Sequence, residues 1–147
     1  MYSSKLRNVF FSALCVLMAA CSTARQVDES AQFIPLGGTN WELVQLTVLG
    51  GFVFVPDDPG KYVLRFRSEN RLNATSDCNT ISGAWQQGAT ELRFEPFSTT
   101  TSLCVAGSLH NNLVLYLKDV TAYRFRDGHL VLTTPTQGIE IEFSSRD

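Results

Sequence analysis

The chain has 147 residues, enough for one domain of ordinary size, and 44% of them are hydrophobic, enough for a packed core. Its formal net charge of −2 argues against nucleic acid as a partner, because phosphate binding needs a basic face. The basic residues Arg65, Arg67, Arg124 and Arg126 alternate with apolar ones, which reads as the wet face of a sheet.

Residues 1–20 read as a secretion signal. Lys5 and Arg7 form a short positive region, and Val9 to Ala20 is an apolar run shorter than a bilayer-spanning helix requires. The run ends at the small residues Ala19 and Ala20, directly before Cys21. This resembles a bacterial lipobox, in which the cysteine thiol receives a diacylglycerol and the signal is cut just before it. Met18 stands where Leu or Val is usual, three residues before the cysteine. Acyl chains on Cys21 would anchor the protein to a membrane with no help from the globular part. Ser22, not Asp, follows the cysteine, which resembles outer-membrane sorting; the expected location is the cell envelope, outer membrane, facing the periplasm. The alternative is an ordinary signal cut near Ala20, releasing a secreted domain. Residues 21–38 then read as a lipid-anchored polar tether, ending in Pro35-Leu36-Gly37-Gly38.

Of the four cysteines, Cys15 is lost with the signal and Cys21 is the lipid acceptor. That leaves Cys78 and Cys104, for which an oxidising compartment implies a disulfide. A redox-active pair is the sharper alternative, but no Cys-x-x-Cys spacing supports it. A zinc site is disfavoured, since the chain has only two histidines, His110 and His129, and neither has ligand spacing to the cysteines.

Residues 39–147 form the expected domain. Trp41 to Val48 reads as the first strand, with Trp41 in the core. Gly50-Gly51 breaks it, and Asp57-Asp58-Pro59-Gly60 is a turn signal. The intervening Phe52-Val53-Phe54-Val55 is too apolar for an ordinary loop and reads either as one more core strand or as a partner site. In Tyr62 to Arg67, Tyr62, Leu64 and Phe66 face one way and Arg65 and Arg67 the other. Strands follow over Arg71 to Thr75, Ile81 to Trp85 and Glu91 to Phe97, with Gly83 a bulge or close approach. After Gly107 the period changes: Leu109, Leu113, Tyr116 and Leu117 share one helix face, and Ser108 is placed to cap its start. Val120 to Arg126 and His129 to Thr134 form a hairpin about Asp127-Gly128, and Ile139 to Phe143 is the last strand. The expected fold is mainly β: a small antiparallel barrel or strongly curled sheet of about seven to eight strands with one packed α-helix.

Several motifs in this order resemble the META domain, the HslJ-like family of bacterial envelope proteins. They are Trp41-x-Leu43, Asp77-Cys78-Asn79 with Gly83-x-Trp85, and the Thr-rich run from Thr99 to Cys104. The helix and the hairpin of Tyr123 and Leu130-x-Leu132 follow. The family pattern is Gly-Cys-Asn, then Gly-x-Tyr, and later Thr-x-Met-x-Cys; here Asp77, Trp85 and Ser102 depart from it. The resemblance spans about Gly38 to Phe143. It implies a small β-rich domain, often lipid-anchored, with no established enzymatic chemistry; some members are associated with heat-shock or drug-resistance phenotypes.

No nucleophile elbow, phosphate loop or zinc-protease motif is present in the sequence. Glu140 and Glu142 read as a solvated strand face. Asp77 and Asn79 read as turn formers, with a binding role the alternative. His110 and His129 read as surface residues. The Ser98 to Ser102 hydroxyls read as partners for loop backbone groups, with a ligand site the alternative. The expected function is a non-enzymatic, lipid-anchored interaction or envelope-maintenance protein, without cofactor or metal, held to the membrane through Cys21 and binding an envelope protein. The alternative is a small barrel carrying an apolar ligand in a cavity lined by Phe66, Phe94 and Phe125.

Overall fold

The computed structural model describes residues 33–147. The expected signal, Cys21 and most of the expected tether lie outside the described residues. The first strand, β1 (Asn40–Val48), shows how the sequence pattern is used. Trp41 and Leu43 point inward by strict alternation, and then the phase slips. Leu43 is opposite Phe143, but Gln45, not Val44, is opposite the next residue, Glu142. Val44 is thus a β-bulge, and the bulge returns Leu46 to the core.

The chain continues through β2 (Phe52–Phe54), β3 (Tyr62–Phe66), β4 (Arg71–Ser76), β5 (Asn79–Gln87), β6 (Leu92–Phe94) and β7 (Ser98–Thr99). After the single α-helix described, α1 (His110–Leu117), come β8 (Ala122–Arg126), β9 (His129–Thr133) and β10 (Glu140–Arg146). Eight of the strands form one antiparallel path, β6-β5-β4-β3-β1-β10-β9-β8. The two ends of this path meet. Glu91 bridges Ala122, the Leu92 N–H donates to Thr121 O at 3.2 Å, and the Tyr123 N–H donates to Thr90 O at 2.9 Å. The sheet is therefore a nearly closed barrel, which shields most strand edges from pairing with other chains. The two strands beyond the expected count, β2 and β7, are short additions paired to β1 and β5 respectively.

The barrel interior is packed with side chains. Phe66 meets Trp85 edge-on at 5.1 Å and stacks with Phe94 at 6.2 Å, and Trp41 lies 5.8 Å from Phe125. From α1 and the residue before it, Leu109, Leu113 and Leu117 join this core. Each such side chain contributes about 1.5–3 kcal/mol by leaving water. Leu109, not Ser108, is the N-cap residue, but from one position earlier the Ser108 Oγ accepts from the His110 N–H at 3.2 Å. Tyr62 adds a second tie, its phenol oxygen accepting from the Leu109 N–H at 2.9 Å.

Three expectations change. The end of the expected tether is part of the fold: Leu36 is fully buried, and its N–H donates to Gln87 Oε1 at 3.0 Å. His110 is buried, not at the surface. Glu140 and Glu142 are not merely solvated: they alternate with cations across the outer face of β8, β9 and β10. Glu140 accepts from Arg124 and, at 3.1 Å, from Arg126; Glu142 accepts from Arg126 at 2.8 Å and from Gln45 at 2.9 Å, and lies 2.6 Å from His129 Nδ1. These bonds hold both carboxyls below the usual carboxylate range, led by Arg124 for Glu140 and by His129 for Glu142.

Candidate functional site

Two surface regions carry the residues that the sequence singles out. The first is the corner between β4 and β5. The turn there is two residues long, because Ser76 pairs with Asn79. Its first residue, Asp77, has φ 55°. Left-handed backbone favours Gly, and Asp is one of the few other residues that tolerate it. The departure from the Gly of the family pattern therefore keeps a left-handed turn. The Asp77 N–H donates to Lys61 O at 2.8 Å, tying the turn to the start of β3.

Cys78, next in the turn, is disulfide-bonded to Cys104. Asn79 organises the loop between them. It is only 2% exposed, and its amide is bonded on both sides. Its Oδ1 accepts from Thr100 Oγ1 and from the Ser102 N–H, both at 2.8 Å, and its Nδ2 donates to Ser102 O at 3.0 Å. Thr100 Oγ1 also accepts from the Thr80 N–H at 3.0 Å. The Thr-rich run thus satisfies backbone groups, and Asn79 acts as a polar staple. Its amide atoms face the loop and are engaged there, which is a structural use.

Gly83 fills the close-approach role. A Cβ at this position would lie 2.6 Å from the Cβ of Phe97, so the chain after β6 can cross β5 only at a glycine. Trp85 is in the core, its indole N–H donating to Arg71 O at 3.2 Å. Beneath the corner, His110 Nδ1 lies 2.9 Å from the Oγ of the fully buried Ser76. Burial pushes the His110 imidazole below its usual pKa, against the attraction of Asp77. Sequence reasoning missed this pair because it joins α1 to β4, and nothing local to either segment signals the contact.

The second region is the flap made by the end of β1, the Gly50-Gly51 turn and β2. Phe52, Val53 and Phe54 are all exposed, Phe52 by 68%, and Leu49 and Val55 flank them in the open. Phe52 to Val55 is therefore not a core strand. Among the described residues, β2 pairs with β1 alone. Elsewhere, open crevices of about 340 and 390 Å³ share Phe94 and Lys118 in their walls.

The comparisons with known proteins agree with this architecture. The META domain model matches residues 34–147. A search of curated proteins finds no match. Among solved structures, a protein from Burkholderia xenovorans superposes with a TM-score of 0.63 at 17% identity, over 76% of this chain and 83% of that one. A DUF4847 family protein from Bacteroides vulgatus gives 0.56 at 15% identity, over 75% and 95%. At these identities the likeness shows the fold alone. With the family model spanning the whole barrel, from Ile34 beside the buried Leu36 to the last residue after β10, the chain belongs to the META domain family.

Proposed function

We propose that this chain is a lipid-anchored protein of the bacterial cell envelope whose META domain acts by binding at its surface and not by catalysis. The observation that carries this reading is the flap. Leu49, Phe52, Val53, Phe54 and Val55 form one contiguous apolar segment held in the open by a strand pair. Exposed apolar surface of this kind is destabilising in water unless something covers it. Polar groups at the other candidate region are already used in holding the fold: Asn79 staples the disulfide loop and His110 is bonded to Ser76. The anchor rests on the sequence, through the apolar run that ends at Cys21.

A carrier of an apolar ligand would hold its cargo inside the barrel. That space is occupied by Phe66, which meets both Trp85 and Phe94, and this favours the surface reading over the carrier. Mass spectrometry of the intact protein, extracted from its own membranes in mild detergent, tests both points. The expected result is an N-terminal Cys21 bearing acyl mass, and a bound protein in the native spectrum. An unacylated N-terminus would remove the anchor. A retained small apolar molecule in place of a protein would move the reading to the carrier.

A further inference from the structure

We propose that the Cys78–Cys104 disulfide is a site of thiol–disulfide exchange, opened by an external dithiol that attacks Cys78, with the domain folded in both states. This goes beyond the surface-binding reading and rests on neither the flap nor the anchor. The first observation is access. Cys78 is exposed and Cys104 is half-buried. The residues on either side of Cys104 leave the approach open, Leu103 being 99% exposed and Val105 72%. Exposed disulfides are the labile ones. As a bond acted on by the thiols of another molecule, this pair needs no Cys-x-x-Cys spacing of its own.

The second observation is the setting of the two sulfurs. Asn79 Nδ2 lies 3.4 Å from Cys78 Sγ and 3.3 Å from Cys104 Sγ. An amide nitrogen carries two hydrogens. One goes to Ser102 O at 3.0 Å, which leaves the other for the sulfur pair. Ser102 O in turn lies 3.4 Å from Cys78 Sγ, which has no hydrogen to give while the bond is intact. Reduction supplies that hydrogen: the Cys78 thiol donates to Ser102 O, and a Cys104 thiolate accepts from Asn79 Nδ2. A hydrogen bond to the departing thiolate stabilises it and makes Cys104 the better leaving group.

The third observation is that both ends of the loop are held without sulfur. At its start, the Thr100 N–H donates to Thr80 O at 3.1 Å, and Asn79 Oδ1 holds the Thr100 hydroxyl and the Ser102 N–H. At its end, Tyr62 holds the Leu109 N–H. Reduction therefore loosens residues 103–107 and leaves the barrel closed. Cys104 and Val105 also wall a crevice of about 200 Å³ whose other side is Ser108, His110 and Asn111. Loosening that wall opens a path from solvent to His110, which is only 9% exposed with the bond intact.

The exchange balances in two steps. A thiolate of the dithiol attacks Cys78 Sγ and forms a mixed disulfide. The Cys78–Cys104 bond breaks, its electron pair leaves on Cys104 Sγ, and Cys104 takes a proton from water. The second thiol of the dithiol gives its proton to water and attacks its partner sulfur in the mixed disulfide. Cys78 leaves as a thiolate and is protonated in turn. Two electrons and two protons have passed to the cysteines, and the dithiol departs as a disulfide.

The test uses the full chain in mild detergent without denaturant. The first probe is excess reduced glutathione, a monothiol, with an acid quench and peptide mapping by mass. The expected adduct is on Cys78, in roughly tenfold preference to Cys104, because the exposed sulfur is the one attacked. Equal labelling, more on Cys104 or no adduct on either would overturn the proposal. The second probe is dithiothreitol. Loss of the bond should be proportional to its concentration and unchanged by urea below the unfolding range, since the reacting state is the native one. The reduced chain should keep its near-ultraviolet circular dichroism and exchange amide hydrogens faster at residues 103–107. A reduction rate that climbs with urea in step with unfolding, or a native spectrum lost on reduction, would show a bond that is structural only and overturn the proposal. The surface-binding reading would stand in either case.

Discussion

The β4–β5 hairpin and the β1–β2 hairpin are both tight reversals at the protein surface, and they are finished in opposite ways. At the β4–β5 turn, Cys78 is bonded to Cys104, Asn79 is buried and satisfied on both sides of its amide, and the following loop is tied at Thr100 and Ser102. At the β1–β2 turn, apolar side chains stand exposed, and among the described residues β2 pairs with β1 alone. The contrast teaches where the fold invests its stabilising contacts. Polar residues are fixed where a loop would otherwise stray, and apolar residues are left uncovered where the barrel wall stops short.

This comparison is open to direct attack, beginning with the largest effect. Replacing both Cys78 and Cys104 by serine removes a cross-link with a sequence separation of 26. The expected loss is about 3.5 kcal/mol in the chain-entropy model, read from denaturant midpoints. A loss under about 1 kcal/mol would mean that the hydrogen bonds alone hold the corner. Next comes Asn79→Ala, which strands the Ser102 N–H and the Thr100 hydroxyl. It should cost about 2–3 kcal/mol in the same measurement, and combining it with the cysteine replacements should give a non-additive total, because both restrain one loop.

A pH effect follows from His110 beneath the corner. Its pKa in the fold is lowered by burial from the ordinary 6.5, so the unfolded chain binds the proton more readily. The stability contributed by the neutral ring is complete above about pH 6.5 and declines as pH falls below that value toward the lower folded pKa. His110→Gln should flatten this part of a stability-versus-pH curve. The limb due to Glu140 and Glu142 should remain, because their lowered pKa values place the loss at more acidic pH, below 4.5. A wild-type curve already flat between pH 6.5 and 4.5 would count against a buried neutral His110.

The smallest expected effect is at the flap. Phe52→Ser removes an aromatic ring and should change folding stability by no more than about 0.5 kcal/mol, whereas Phe66→Ala in the core should cost about 3–5 kcal/mol. A loss above about 1 kcal/mol at Phe52 in dilute monomer would show that the flap is packed and erase the contrast with the corner.

Much of the barrel was legible because its signals are local. Tyr62 to Phe66 alternates, Asp127-Gly128 adopts positive φ at both turn residues, and Leu109, Leu113 and Leu117 fall on one helix face. The Cys78–Cys104 bond was legible from a cysteine count. What escaped depends on contacts between distant segments. The Val44 bulge appears only when β1 is set against β10. The burial of His110 needs α1 to meet Ser76, and Asn79, expected to form the turn, instead opens β5 and bonds the Thr100 to Ser102 loop once that loop folds back. The exposure of Phe52 to Val55 could not be read from apolar content, because a core strand and an uncovered edge strand share the same composition.

The pairing of β1 with β10 has a kinetic consequence. Asn40, the first residue of β1, lies opposite Arg146, the last residue of β10. A contact spanning nearly the whole domain is slow to form, because the longest loop must be closed to make it. While the chain is being synthesised, β1 has no β10 to dock against, and the wall between β1 and β9 stays open. The domain is therefore completed by its last residues, and a chain cut short before Glu140 should behave as an unfinished sheet and not as a trimmed barrel.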